Sequence, residues 1–202
     1  RQKSNIHTFD MLKVDEKNKS IFIKKGKWTL NKSIIIPQGF TVFSEGGTII
    51  DLIESATILS YSSLQFSGTK KDPIMIISSD GTGQGLAVLN VNRVSKLNHV
   101  IFSDLTNPSK EGWELTGAIT FYESPVVLQD VVIRGMKSED SLNIVRSEFN
   151  IKSSLIEKSF ADCLDVDFGE GSIKASSFIS CGNDGLDFSG SKVFVKNTAI
   201  FN

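Results

Sequence analysis

The sequence predicts an all-β fold, a parallel β-helix solenoid with coils of about 22 residues. One phrase recurs at this spacing, and short alternating segments separated by Gly, Asn, Ser or Asp lie between its copies. The repeated positions are Asp140, Asp162 and Asp184 and, two residues further on, Leu142, Leu164 and Leu186. Heptads and helical faces are absent from these units, which are too short for a strand, a helix and their turns. Each unit therefore fits one coil of stacked strands.

The second half of the unit repeats at the same spacing. The segments "IKSSLI", "IKASSFI" and "VKNTAI" begin at Ile151, Ile173 and Val195. In a parallel β-helix each strand pairs with its copy in the next coil, about 4.8 Å away, so equivalent side chains stack in columns. The columns expected inside the solenoid are Leu142, Leu164 and Leu186, and Ile133, Ile156, Phe178 and Ile200. A column of Lys152, Lys174 and Lys196 is expected on the outside.

The less regular parts of the chain define its organisation. Residues 1–18 are polar and are expected to form a cap or lead segment before a β-helix domain over residues 19–202. Residues 104–116 break the period and carry Pro and Gly, so they are interpreted as a loop inserted between strands. The chain begins with Arg1 and stops just after a strand, at Asn202. We therefore expect a fragment of a longer protein.

The composition makes several classes of protein improbable. A net charge of −1 gives no basic footprint for nucleic acid, and no apolar run approaches the roughly 20 residues of a membrane span. Two cysteines are too few for a disulfide scaffold, so Cys163 and Cys181 are expected to be buried small hydrophobic residues. His7 and His99 are far apart in the sequence, so the chain offers too few residues for a histidine-based triad or a zinc site.

Four segments resemble coils of the right-handed parallel β-helix, pectate-lyase-like superfamily, over about residues 20–202. They read "IIIPQGFTVFSEGGTII", "GTKKDPIMIISSDGTGQGL", "VLQDVVIRG" and "GNDGLDFSGSKVFVKNTAI". The first is similar to the opening coils of β-helix regions on bacterial surface and secreted proteins. The resemblance implies a right-handed coil, as the general rule for parallel crossovers also does, and an extracellular or cell-surface location with a polysaccharide or surface glycan as partner.

An acidic stripe is expected on the outside of the last coils. Alternation that points Leu164 inward points Asp165 and Asp167 outward. Asp187 takes the place of Asp165 in the next coil, and Asn143 takes it in the previous one. Stacked carboxylates repel each other, so folding alone does not favour this arrangement.

Three interpretations of the stripe remain open. It is a solvated surface in which Asp162 and Asp184 hydrogen-bond their own turns. It is a cation site, with Asp162, Asp165 and Asp187 as possible calcium ligands. Or it is a catalytic site for a polysaccharide, with Asp165, Asp167 and Asp187 as the reacting carboxyl groups.

The resemblance extends to parts of two catalytic patterns. Residues 183–187 resemble the Asn-Thr-Asp segment of β-helix pectin hydrolases, which implies Asp165 and Asp187 as acid and base. The Gly-His-Gly and Arg-Ile-Lys motifs of those enzymes are missing from this sequence. β-Helix pectate lyases use calcium-binding aspartates and an arginine base, a role for which Arg146 and Arg134 are candidates by neighbourhood only. A structural pairing of arginine with the acidic stripe is the competing interpretation.

Other side chains are candidates for contact with a glycan. Those singled out as substrate-binding are Asn143, Arg146, Asp184, Lys174 and Trp113. Outward lysines discourage edge pairing of sheets, and a lysine column could instead meet an acidic glycan. Trp113 lies in the inserted loop, where function is often located. Trp28, Phe121 and Tyr122 are further aromatic candidates.

Two hypotheses of function follow. The first is an extracellular or cell-surface β-helix module that binds glycan or serves as a rigid spacer. The alternative is a polysaccharide lyase or hydrolase acting through the aspartate cluster. The first is favoured because complete catalytic motifs are missing, and calcium is the only cofactor that the residues suggest.

Overall fold

A computed structural model, which describes residues 3–110 and 112–201, is an all-β parallel solenoid of about eight turns. Its coils average about 23 residues. The predicted fold class is confirmed, while the hand of the coil stays a prediction. The middle coils are longer than those at either end: Leu86 pairs with Ile119, whereas Thr41 pairs with Ser63 and Leu142 pairs with Leu164. Insertions such as residues 104–116 lengthen the coil without disturbing the register of the strands.

Secondary structure consists of one 3-10 turn, η1 (Ile6–Thr8), and short strands. The strands of the N-terminal half are β1 Leu12–Asp15, β2 Ser20–Ile23, β3 Gly26–Leu30, β4 Ile34–Ile36, β5 Thr41–Glu45, β6 Thr48–Leu52, β7 Ile58–Ser60, β8 Ser63–Ser67, β9 Ile74–Ile77, β10 Leu86–Leu89, β11 Ser95–Asn98, β12 Val100–Ser103, β13 Ser109–Lys110 and β14 Trp113–Glu114. Those of the C-terminal half are β15 Gly117–Tyr122, β16 Val126–Gln129, β17 Val132–Arg134, β18 Asp140–Val145, β19 Glu148–Lys152, β20 Leu155–Ser159, β21 Asp162–Asp167, β22 Glu170–Lys174, β23 Ser177–Cys181, β24 Asp187–Ser189, β25 Lys192–Lys196 and β26 Ala199–Phe201.

Three sheets run along the solenoid and enclose its core. Sheet I has the order β1-β2-β5-β8-β11-β16-β19-β22-β25, sheet II has β3-β6-β9-β12-β17-β20-β23-β26, and sheet III has β4-β7-β10-β15-β18-β21-β24. Every pair within them is parallel except β1 with β2. In the described part of the chain, no helix is long and apolar enough to span a membrane.

The columns of equivalent side chains are in register as predicted, but Ile200, expected inside, is 51% exposed because no described coil covers it. Ile133, Ile156, Phe178 and Ile200 stack in register in sheet II, and Lys152, Lys174 and Lys196 stack in sheet I. Leu142 and Leu164 pair directly and are fully buried. Leu186 lies one residue before β24 and packs against the core while partly exposed. Burial of these repeated apolar side chains is the main favourable contribution to the fold.

Corners between sheets repeat a backbone conformation and a hydroxyl contact. Arg146, Phe168 and Gly190 follow successive strands of sheet III and have φ values of 48°, 52° and 64°. Beside this corner, the Ser147 hydroxyl accepts a hydrogen bond of 2.8 Å from the Ser124 backbone N–H of the previous coil. Buried backbone groups need such partners where the sheet ladder stops. Serine at the corner therefore continues the hydrogen bonding from coil to coil.

The N-terminal segment covers one end of the core. Ile6 and Met11 are buried there, and β1 pairs antiparallel with β2. Asn5 donates its side-chain amide to the Ser33 carbonyl at 2.9 Å and accepts from the Ile35 N–H at 2.8 Å. These contacts tie the segment to the edge of the first coil, where an open sheet would otherwise be exposed.

The two cysteines form a disulfide, so the expectation of free thiols is wrong, although both side chains are buried. Cys181 pairs in register with Ser159, whose hydroxyl lies 3.2 Å from the Cys163 sulfur. Stacking of one coil on the next thus brings together two residues that are 18 positions apart. Their spacing along the chain carries no sign of this contact.

Candidate functional site

The outer side of sheet III changes from apolar to acidic along the solenoid. Its central outward column runs from Ala87 through Thr120 and Asn143 to Asp165 and Asp187. The predicted stacking of Asp165 between Asn143 and Asp187 is therefore present. We call the carboxyl groups on this side the acidic face: Asp140, Asp162, Asp165, Asp167, Asp184 and Asp187.

A second column of the acidic face lies at the start of the strands. Asp140 pairs with Asp162, and Asp184 follows in the next coil. Asp162 is nearly buried, and its Oδ1 accepts hydrogen bonds from the Asn183 side chain at 2.9 Å and the Asp184 N–H at 2.8 Å. Asp162 thereby holds the turn that leads into β24, and through it the position of Asp187.

Three carboxylates form a compact group. Asp162, Asp184 and Asp187 each offer an oxygen within 4.8 Å of the others. Hard cations such as Ca²⁺ are bound by carboxylate oxygens of this kind, with six to eight ligands. The group differs from the predicted trio, since Asp184 takes the place of Asp165. These residues could hold a cation, and a calcium site here stays a hypothesis.

Asp165 lies at the centre of the face, and its pKa is strongly raised. Burial, together with the negative charges of Asp140, Asp167 and Asp187, raises its pKa to about 7. Its Oδ2 accepts a hydrogen bond of 2.9 Å from the Asn143 amide. A carboxyl group with this pKa can both give and take a proton near neutral pH, which is the property of a general acid or base.

Asp140 belongs to the same face and was not among the predicted site residues. It is only 3% exposed, and its Oδ2 is buried with no hydrogen-bond partner in the described part of the chain. Burial raises its pKa to about 6, although the Thr116 side chain hydrogen-bonds to the carboxyl group. The spacing of 22 that relates Asp140 to Asp162 was the available signal for placing it here.

Two exposed aromatic side chains border β21. Phe160 precedes the strand and is 75% exposed, and Phe168 follows it and is 63% exposed. Several other exposed apolar side chains belong to the last described coil, which has no coil above it in the structure; these two do not. Sequence reasoning missed both, although the segment "FADCLDVDF" shows them on either side of the acidic strand.

Arg146 lies at the corner after β18, with partners of its own. Its guanidinium donates to the Tyr122 hydroxyl at 3.1 Å and lies 3.7 Å from a Glu123 carboxylate oxygen. Its guanidinium carbon is 5.9 Å from the centre of the Phe168 ring. Asp167, which is half-buried, immediately precedes Phe168 in the sequence. The arrangement orients Phe168 and gives Arg146 a structural role.

Two predicted contact residues lie away from the acidic face. Lys174 is on the outer side of sheet I, with its ammonium group 5.8 Å from the centre of the Phe194 ring. Trp113 belongs to the hairpin β13–β14 and lines a cavity over the first coils of sheet III. Phe121 is fully buried, so its proposed role in sugar stacking is wrong.

The fold and the face together define a parallel β-helix protein with a carboxylate-rich, aromatic-bordered surface on one sheet. A comparison with models of protein families found no match. Searches of curated proteins and of solved structures likewise found no significant similarity. The chemistry of the face must therefore be argued from its own residues.

Proposed function

We propose that this chain is an extracellular or cell-surface glycan-binding module of the pectate-lyase-like β-helix type, and that it binds glycan on the acidic face. One observation carries the proposal: β21 presents outward carboxyl groups between two exposed phenylalanines, Phe160 and Phe168. The six residues of β21 span about 20 Å. A surface of this length suits several sugar residues of one chain.

The chemistry of the two residue types matches that of a sugar. Carboxylates accept hydrogen bonds from hydroxyl groups, and these charge-assisted bonds are stronger than neutral ones. The flat face of an aromatic ring covers the C–H surface of a pyranose. Phe160 and Phe168 leave most of their ring surface in solvent, so both rings are available to a ligand.

The corner that carries Phe168 fixes where its exposed ring lies. A left-handed backbone costs a non-glycine residue roughly 1–2 kcal/mol, and the equivalent position in the next coil is Gly190. The Phe168 ring lies against Gly190, where an added Cβ would stand 2.7 Å from a ring atom. Glu123 and Arg146 have the same left-handed backbone at this corner in earlier coils, so the conformation belongs to the fold, and the exposed ring is what distinguishes Phe168.

The disulfide supports the proposed location. Cys163 and Cys181 are joined beneath the acidic face. Disulfides persist in oxidising compartments and are rare in the cytosol.

Hydrolysis of a polysaccharide is the second candidate function, favoured by the altered pKa of Asp165. With a pKa of about 7, Asp165 would protonate the glycosidic oxygen. Asp187, the next residue in its column, would attack the anomeric carbon as the nucleophile, and water would then hydrolyse the glycosyl-enzyme intermediate. Neighbouring strands lie about 4.8 Å apart, close to the ~5–5.5 Å between carboxyl groups in retaining glycosidases.

Calorimetric binding to defined oligosaccharides tests the proposal. The probes are cellohexaose, xylohexaose, mannohexaose and hexagalacturonate, each with Ca²⁺ and with chelator. We expect at least one to bind, and Phe168→Ala and Asp187→Asn to weaken binding at least tenfold. Phe194→Ala is the matched control, because Phe194 is equally exposed but lies on sheet I.

The outcomes separate the hypotheses. Absence of binding to every probe overturns the proposal and leaves a spacer. Equal loss in Phe194→Ala and Phe168→Ala places binding elsewhere. Release of reducing ends without formation of unsaturated ends, lost in Asp165→Asn, establishes the hydrolase, whereas unsaturated ends establish a lyase. Dependence of binding on Ca²⁺ establishes the cation site.

A further inference from the structure

A cavity of about 240 Å³ lies beneath the hairpin β13–β14, over the first coils of sheet III. Its wall includes Trp113 and Ser109 from the hairpin, and Thr57, Leu59 and Gln84 from the solenoid. The lining consists of one aromatic ring, one aliphatic side chain, several neutral hydrogen-bonding groups and one lysine, Lys110. Small-molecule sites have this composition of apolar walls and a few placed polar groups.

The hairpin is held in place by a two-point contact. The Gln84 side-chain amide donates to the Ser109 hydroxyl at 3.1 Å, and its carbonyl oxygen accepts from the Ser109 N–H at 3.2 Å. Below the hairpin, Leu105 is fully buried and the Thr106 N–H donates to the Gly83 carbonyl at 2.8 Å. The cavity is consequently preformed, which lowers the entropic cost of binding.

The polar groups of the wall retain capacity for a ligand. Ser33, also in the wall, accepts from the Thr57 N–H at 3.2 Å, and Ser109 accepts from Gln84. A hydroxyl has one donor and two acceptor sites. In the hydrogen bonds described for this part of the chain, both serines act as acceptors, so their O–H groups can be donated inward. No carboxylate is among the described lining residues, and Lys110 is the charged one.

The cavity and the acidic face share one side of the solenoid. Leu59 stands in the same outward column as Ala87, Thr120, Asn143 and Asp165. Four strand spacings separate Leu59 from Asp165, which is about 19 Å. An oligosaccharide that crosses β21 and continues along the solenoid axis toward the first coils can therefore reach both places.

We propose that this cavity is a second sugar-binding subsite, which holds one neutral pyranose of the glycan against Trp113. The inference rests on the proposed function, since it assigns the glycan a further contact. Serine and glutamine groups bind the hydroxyls of the sugar, and the indole covers its C–H face. A neutral sugar is preferred because the cavity offers hydroxyl and amide partners and no paired cations for a carboxylate.

Fluorescence of Trp113 tests the subsite directly. The chain has two tryptophans, and Trp28 lies on β3, where its indole N–H bonds the Lys24 carbonyl at 2.8 Å. In the variant Trp28→Phe, Trp113 is the only tryptophan, and excitation selective for tryptophan reports on it alone. We expect cellohexaose, xylohexaose or mannohexaose to shift or quench its emission with saturation, and Ser109→Ala to weaken that response at least tenfold.

Calorimetry on Trp113→Ala and Trp113→Phe completes the test. We expect about a tenfold loss of affinity in the first and partial retention in the second, with melting temperatures compared as a control for folding. A chain that binds an oligosaccharide through Phe168 but shows no response of Trp113 and no loss in Trp113→Ala overturns the subsite and leaves the proposed function intact. Absence of any binding overturns both.

Discussion

Burial of the Asp165 carboxyl group opposes its ionisation. Its side chain lies among the negative charges of four neighbouring aspartates, and burial removes the water that would screen them. The result is a pKa of about 7, with Asp140 raised to about 6 beside it. A face that only needed solubility would place these groups in water, so the cost indicates a use for the charge.

The stability of the protein is expected to fall as pH rises through this range. The folded pKa of Asp165, about 7, lies above the ordinary value of 3.8, so the folded state keeps a proton that the unfolded chain has lost. This favours the folded state at low pH, and the advantage disappears as pH rises from about 4 to about 7. Melting temperatures between pH 4.5 and 8 should decline in the wild type and decline less in Asp165→Asn. If the melting temperatures of the wild type and Asp165→Asn fall in parallel as pH rises, the raised pKa of Asp165 is contradicted.

Replacement of Phe168 by glycine is expected not to lower the stability of the protein. Because glycine adopts positive φ freely, Phe168→Gly should leave the free energy of unfolding unchanged or raise it by up to about 1 kcal/mol. Urea unfolding measures this, with Phe178→Ala as the contrasting variant, since Phe178 is fully buried in the core. That control should lose about 3–5 kcal/mol. A similar loss in Phe168→Gly would show that the exposed ring serves folding.

At the scale of elements, the strands depend on serines at the corners as much as on the ladders between coils. Ser147 Oγ accepts from the Ser124 N–H and donates to the Val145 carbonyl, both at 2.8 Å. Ser44, by contrast, is buried in β5, and its hydroxyl has no partner in the described part of the chain. The same residue type therefore has opposite energetic effects at a corner and inside the core.

Alanine substitutions at these two serines should change stability in opposite directions. Ser147→Ala leaves a buried N–H unsatisfied and should cost about 1–3 kcal/mol of unfolding free energy. Ser44→Ala removes an unsatisfied hydroxyl and should stabilise by about 1 kcal/mol. Chemical denaturation of both variants compares them directly. Destabilisation by Ser44→Ala would indicate that its hydroxyl is satisfied, for example by a bound water.

At the scale of the whole molecule, the solenoid is a stack of nearly equivalent coils with one covalent link. The disulfide joins β21, which carries the acidic face, to the end of β23 in the next coil. In a stack, each coil is stabilised mainly by its neighbours. A cross-link near the end of the described coils therefore limits local opening where the acidic face lies.

Removal of the disulfide is expected to weaken the C-terminal coils. Its partners are 18 residues apart, and a loop of about this size corresponds to roughly 3 kcal/mol. The double variant Cys163→Ala/Cys181→Ala should lose about that much unfolding free energy. Reducing agent should lower the unfolding free energy of the wild type to that of the double variant and leave that of the variant unchanged. Two titratable thiols in the unreduced, denatured wild type would show that the bond does not form.

Prediction from sequence succeeded where the property is local and periodic. The spacing of 22 placed Leu142 on Leu164 and Asp165 on Asp187, and alternation placed Asp165 outward. Prediction failed where two parts of a coil meet across a corner. The cysteine pair is the example, since the disulfide links β21 of one sheet to the end of β23 in another.

The sequence by itself determined the solenoid, the columns and the existence of an acidic stripe, because period and alternation are properties of neighbouring residues along the chain. Only the tertiary structure decided that Asp140 is buried with an unpaired oxygen, that Asp165 has a pKa of about 7, and that a cavity forms under Trp113. Burial, electrostatic interaction and cavity shape depend on distances between side chains from different coils, and these distances exist only once the coils are stacked.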